Sequence, residues 1–325
     1  MWSPGSPGQG SWLVDAWRRS VHGADRRVNR VRVTVDDLRR AVDAEVERSW
    51  SDGQWLRWLD AAADLREQTF RNVVLIKLQM PRAIWVDGRE AWQLRGRRIV
   101  RGASGIRIVA PAVDRTRSAG PVQGHGVATM WDVSQTTGRP VGLSALQTAA
   151  DTSPQDLFAA LVQVAGAAGY RVDRGRAVAA NRHSETDHRQ RRIVVTGDLG
   201  VAAAVLSLAH ELAHVRMHKL SRDSTCHGIT RLEADSAAYV LAARFGCLPD
   251  GPSASLVGRA AGVIGRRPSA RLVETLGGRA VAAARRLIDA TEQHLPQEPV
   301  RRATFRETPS FGNGLDRRSD GPELT

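Results

Sequence analysis

The segment Leu206-Ser-Leu-Ala-His210-Glu211-Leu-Ala-His214 constrains this chain more than any other feature. Apolar residues at 201, 205, 208, 209, 212 and 215 recur at helical spacing, no proline interrupts 199–220, and Asp198 is available as an N-cap, so the pattern predicts one buried helix. Imidazoles four residues apart on a helix lie one above the other on the same face. Both can then reach one tetrahedral Zn²⁺ while Glu211 stands beside them unligated. That is the arrangement of a zinc hydrolase, with Glu211 as general base. The alternative, two core histidines satisfied by hydrogen bonds, leaves the Glu211 carboxylate without a partner.

A third ligand must come from elsewhere. His218 lies about 12 Å further along the helix axis than His210, whereas two ligands of one Zn²⁺ lie within about 4 Å of each other. Val215, Arg216 and Met217 continue the helix, which excludes the metzincin pattern of a glycine break and a returning histidine. The next polar cluster, Thr230-Arg-Leu-Glu233-Ala-Asp235-Ser-Ala-Ala-Tyr239, opens a second helix closed by Gly246. Packed against the first helix, it could project Glu233 at the metal to give two histidines, a glutamate and a water. Thr230-x-x-Glu233 is also a capping box, which would return Glu233 to the backbone. Cys226-His227 is a rival for the third position, since a thiolate suits a closed structural site. Asp235 could orient an imidazole and Tyr239 could stabilise an oxyanion; an exposed Asp and a core Tyr account for them equally well.

The first half reads differently. Arg95, Arg97, Arg98, Arg101 and Arg107 crowd a stretch with Gly96, Gly102 and Gly105, which predicts a tight basic hairpin, and Trp85 and Trp92 lie close by. Guanidinium groups neutralise phosphates and indoles stack on unpaired bases, the combination that binds single-stranded DNA without base readout. A solvated hairpin beside core tryptophans is the alternative. The formal net charge of +13 favours a polyanionic partner, although nearly all 47 basic residues are Arg, so part of that excess can be coding bias.

All nine Trp lie at or before Trp131 and the histidine motif lies after 200, so composition itself divides the chain. Thr137-Gly-Arg-Pro and Asp151-Thr-Ser-Pro place a turn-rich boundary near 140–152. Only two cysteines occur, no apolar run is long enough for a membrane span, and Met1-Trp-Ser-Pro-Gly-Ser-Pro-Gly is no signal peptide; these features predict a cytoplasmic protein with no membrane partner. Residues 1–30 and 296–325 have the Gly, Pro, Ser and Arg composition of flexible ends.

Two resemblances follow from these residues. His210-Glu-Leu-Ala-His214 with Glu233-Ala-Asp-Ser-Ala-Ala-Tyr-Val resembles the zinc-peptidase domain of the ImmA/IrrE family and of ArdC-type antirestriction proteins. The upstream order agrees, with a helix at about 154–167 and short strands at Gly169-Tyr-Arg-Val and Arg191-Arg-Ile-Val-Val195; the polar run from Asn181 to His188 departs from that family. Arg71-Asn72 through Gln79-Met-Pro81, Trp85-x-x-Gly88-x-x-x-Trp92, Gly96-Arg97 through Ile106, and Trp131-Asp-Val-Ser-Gln135 resemble the N-terminal single-stranded-DNA-binding domain of the ArdC-type proteins. The resemblance implies an α+β protein of two domains. Residues 31–145 form a small mixed α/β DNA-binding module, and 146–295 a mostly helical gluzincin-like peptidase module. It implies Zn²⁺ on His210, His214 and Glu233, catalysis by Glu211, and as partners single-stranded DNA and an unidentified protein substrate. Two other functions fit the same residues. One is a DNA-binding antirestriction or transfer accessory protein with a structural or vestigial zinc site, and the other a regulatory peptidase that cleaves a repressor.

Overall fold

The computed structural model describes residues 33–51, 53–65, 67–111, 124–141, 152–176, 183–218, 226–249 and 252–296. The ends expected to be flexible, apart from Pro296, and most of the expected boundary at 140–152 lie outside the described residues. The chain is a mixed α+β protein, mostly helical, with small sheets.

Helix α1 (Val35–Ser49) starts at Thr34, whose hydroxyl accepts from Asp37 N while the Asp37 carboxylate accepts from Thr34 N, a reciprocal cap that sets its first turn. Its buried residues Leu38, Ala41, Val42 and Val46 follow helical spacing along one face. Helices α2 (Gln54–Asp64) and α3 (Phe70–Gln79) meet through an aromatic cluster in which Trp55 and Trp58 each lie 5.8 Å from Phe70.

Strands β1 (Val86–Asp87), β3 (Ile106–Pro111) and β4 (His125–Asp132) form an antiparallel sheet in the order β1-β4-β3. The free edge of β3 is closed by two buried amides of α3. Asn72 Nδ2 donates to Val109 O at 2.9 Å and Asn72 Oδ1 accepts from Val109 N at 3.1 Å; Gln79 makes the same pair of bonds to Arg107, each at 2.7 Å. Side chains thus substitute for a neighbouring strand, which removes an edge open to pairing.

The expected hairpin over Arg95–Arg107 does not form. Helix α4 (Arg89–Leu94) leads into β2 (Arg97–Ile99), which pairs with β5 (Thr136–Gly138), whereas β3 belongs to the other sheet. The pairing that wins is the distant one, extended by Val100 N donating to Gln135 O at 2.9 Å. Gly138 permits it: at φ +132 a Cβ there would lie 2.4 Å from Gly96 O and 3.0 Å from Arg97 Cα.

In the second half α5 (Pro154–Ala167) is capped by Ser153 and precedes a mixed sheet of β6 (Arg171–Gly175), β7 (Ser184–Asp187) and β8 (Arg192–Thr196). The order is β6-β8-β7, with β8 parallel to β6 and antiparallel to β7, so β7 is an edge strand. It arises within the polar run from Asn181 to His188. Helices α6 (Val201–Met217), α7 (Gly228–Arg244), α8 (Pro252–Ile264) and α9 (Ala270–Glu292) complete the fold. Helix α6 starts at Gly200 with no side-chain cap, not at Asp198. Helix α7 starts at His227, earlier than Thr230, so the capping box of Thr230 and Glu233 is not made and Thr230 Oγ1 donates to His227 O instead.

One hydrophobic core runs from Leu38 to Ile288. Trp55 Nε1 donates to Ser236 Oγ at 3.0 Å, Arg71 is paired with Glu274, and Tyr239 donates to Asp60 Oδ1 at 2.7 Å, so α2 and α3 are tied to α7 and α9. The described residues up to Leu295 therefore belong to one compact unit. Among the described residues no helix is long and apolar enough to cross a membrane.

Candidate metal centre and basic surface

Helix α6 presents its two histidines on one face, as the spacing requires. His210 Nε2 and His214 Nε2 lie 3.1 Å apart, and Cys226 Sγ, just ahead of α7, lies 3.2 Å from each. A tetrahedral Zn²⁺ with bonds of about 2.0–2.1 Å to nitrogen and about 2.3 Å to sulfur separates its ligands by about 3.3–3.6 Å, so the three donors fit such an ion. They form the one group of this kind among the described residues.

The other ring nitrogens hold both imidazoles in place. His210 Nδ1 donates to Asp235 Oδ1 at 2.7 Å, and Arg259 and Arg231 face the same carboxylate. His214 Nδ1 lies 2.8 Å from His218 Nδ1, and His218 Nε2 donates to Glu233 Oε2 at 2.8 Å. Engaging Nδ1 in each ring leaves Nε2 turned to the donor cluster. Burial lowers the His210 pKa, but the hydrogen bonds to Asp235 and Cys226 outweigh it and push the value up to about 10. Burial and the neighbouring His210 and His218 push His214 down to about 3. Burial opposes ionisation of Asp235, yet the His210 bond and the charges of His210, Arg259 and Arg231 hold it below the usual carboxylate range. Metal entry at these donors accordingly displaces a proton.

Glu211 is buried, and both its oxygens are engaged by the edge strand: Oε1 accepts from Ser184 Oγ at 2.8 Å and Oε2 from Thr186 Oγ1 at 2.6 Å. Residues at i and i+2 of a strand face the same side, which is why both hydroxyls reach one carboxylate. Ser184 and Thr186 are not among the residues the sequence motifs single out, although two hydroxyl residues at strand period within a polar run are a signal for them. Helical spacing likewise excludes His218 as a ligand without assigning it the bridge to Glu233.

Glu233 and Tyr239 hydrogen-bond to residues other than those of the donor cluster. The Glu233 carboxylate, fully buried, is held by His218 and by Arg279 at 3.3 Å and is not part of the donor cluster. Tyr239 is buried with its hydroxyl donating to Asp60 Oδ1, a bond that joins α7 to α2.

The basic surface is divided as well. Trp92 is fully buried, with Nε1 donating to Trp131 O at 2.9 Å, so no base can stack on it. Trp85 is half-buried and the Arg95 guanidinium lies 5.3 Å from its ring centre, while Arg89 lies 5.2 Å from that of half-buried Trp131. Arg97 is spent on structure, donating to Thr136 Oγ1 at 2.7 Å, Thr136 O at 2.9 Å and Arg139 O. Arg107 donates to Thr129 Oγ1 and Arg95 is paired with Asp87 at 2.8 Å. Arg98 and Arg101 are exposed and make no ion pair among the described residues.

No family model matches the chain. No curated protein matches it either. Among solved structures it is similar to the metal-free crystal structure of the antirestriction ArdC protein from R388 plasmid, with 18% identity and a TM-score of 0.45 over 79% of this chain and 96% of that one. The Mn(II)-bound structure of the same protein aligns at 18% identity and a TM-score of 0.41, over 74% of this chain and 97% of that one.

Proposed function

We propose that this chain is a metal-dependent peptidase joined to a single-stranded-DNA-binding surface, in the antirestriction or mobile-element setting that its motif order resembles. The observation that carries the catalytic part is Glu211, a buried carboxylate fixed by two hydroxyls next to a pair of histidines whose Nε2 atoms converge. A site that only stabilised the fold would have no use for such an acid. His210 and His214 hold the metal with a third protein donor, Glu233 by the sequence resemblance or Cys226 by proximity. When bound, Zn²⁺ lowers the pKa of a water ligand and polarises a carbonyl. Glu211 takes the proton from the attacking water and delivers it to the departing amine. Ser184 and Thr186 keep its oxygens aimed, and Asp235 holds His210 in the tautomer that leaves Nε2 free.

Glu211→Gln tests this reading. The variant is expected to keep one Zn²⁺ per chain, because the residue is not a ligand, and to lose hydrolysis of an unfolded protein substrate by a factor of about 10²–10⁴. A metal-loaded wild type that cleaves nothing in a broad peptide library, or a Gln variant that cleaves as well, would sink it. The thiol in the donor cluster favours a second reading, a structural zinc in a DNA-binding accessory protein. Chelation would then lower the unfolding midpoint and DNA affinity together, with Glu211→Gln silent.

A further inference from the structure

Taking His210 and His214 as the metal pair of the proposed function, the identity of the third donor decides what kind of metal centre this is. We propose that Cys226, and not Glu233, completes it, giving a His₂Cys set that selects Zn²⁺ or Co²⁺ over Mn²⁺ or Mg²⁺ and leaves one position open. Cys226 Sγ stands 3.2 Å from each Nε2, closing a triangle whose sides match the ligand spacing of one tetrahedral ion. Among the described residues those two nitrogens are the hydrogen-bond partners of the thiol.

Glu233 is held against the role. Its side chain is wholly buried; Oε2 is shared between His218 Nε2 and Arg279, while Oε1 has no hydrogen-bond partner among the described residues and lies outside the donor cluster. Because neither oxygen reaches the donor cluster where it stands, swinging the carboxylate to the metal would pull Oε2 from a buried histidine and a guanidinium, a loss larger than an ordinary hydrogen bond. Glu233 instead acts through His218, which fixes the ring of His214; it is a positioning residue. As the metal binds, the Cys226 thiol gives its proton to solvent and the thiolate becomes the ligand. A soft thiolate favours zinc and cobalt, whereas manganese and magnesium prefer oxygen donors.

Cobalt reads the ligand type directly. The metal-free full-length chain titrated with Co²⁺ is expected to develop visible d–d bands of a tetrahedral ion and a near-ultraviolet thiolate-to-cobalt charge-transfer band, saturating at one equivalent. Cys226→Ser should abolish the charge-transfer band and weaken Zn²⁺ binding by more than the roughly 10–100-fold that loss of an outer partner costs. Glu233→Gln should keep the band and stay within that range. Cys247→Ala, the control at the chain's other cysteine, should leave the spectrum unchanged. A measurement on the unmutated chain guards against misfolding of the Ser variant. Zn²⁺ should slow alkylation of Cys226 by iodoacetamide at least tenfold, read by peptide mass spectrometry. Wild type that binds one cobalt without the charge-transfer band, or equal alkylation with and without Zn²⁺, overturns the assignment and returns the position to Glu233. Wild type that binds no metal at all would overturn the metal-centre reading itself.

Discussion

A carboxylate whose two oxygens each accept from a hydroxyl is held in one orientation, and that is the situation of Glu211. Removing one grip frees the carboxylate to rotate without removing its charge. Thr186→Val, close to isosteric, is therefore expected to lower kcat about tenfold with little change in KM, a positioning loss of roughly 1.4 kcal/mol. Equal kcat in the variant would mean the hydroxyl only fills space. Trp92 makes the opposite case: its partners are protein groups, so Trp92→Ala should cost about 3–5 kcal/mol of folding stability in urea unfolding. A loss under about 1 kcal/mol would return it to the surface as a stacking platform. From the sequence, the histidine pair and the acid between them were legible because helical geometry fixes their relation. The roles of Trp92, Tyr239 and Glu233 were not, because a side chain's partner is set by which helix packs beside it.

Among elements, α5, α6 and α7 were legible to within a few residues, since each buries a periodic apolar face. Strand β7 was hidden because the side it turns to α6 carries Ser184 and Thr186, which bind a carboxylate where apolar residues would have announced a strand. The supposed basic hairpin failed for another reason. Local glycines signal turns, but they do not say which distant strand will pair, and β2 finds β5. Helix α9 offers a test of packing at this scale. Its adjacent glycines differ sharply: a Cβ on Gly277 would lie 2.6 Å from the Phe70 ring, while one on Gly278 meets nothing within 4 Å. Gly278→Ala should raise stability by up to about 1 kcal/mol, the ordinary gain in a helix. Gly277→Ala should reverse the sign and cost about 1–3 kcal/mol, as α9 is pushed off α3. Two variants of equal stability would show that the Phe70 contact is not a tight one.

For the molecule as a whole, the division into halves was visible in where the tryptophans and histidines fall, yet the core ignores it, because α1 to α3 bury their apolar faces against helices from the second half. Composition records what a segment contains and not what it is packed on. The net charge of +13 has the same limit: it favours a polyanion without saying which arginines touch it. The structure sorts them. Arg97 is committed to β5 and the 139 carbonyl, Arg95 to Trp85 and Asp87, and Arg107 to Thr129, whereas Arg98 and Arg101 face solvent without an ion pair among the described residues. If single-stranded DNA follows this surface, each neutralised phosphate contributes about 0.7 to the slope of log K against log salt. Replacing Arg98 and Arg101 with Gln in the full-length chain should therefore flatten that slope by about 1.4 while leaving the unfolding midpoint in place. Arg97→Gln should do the reverse, lowering the midpoint through the lost β2–β5 bonds before it alters the salt slope. Duplex DNA offers phosphates but no bases to lie on Trp85 or Trp131, so the wild type should prefer single strands. A double variant with the wild-type slope, or equal affinity for the two forms, would mean that the charge is compositional and that this face is not the nucleic-acid surface.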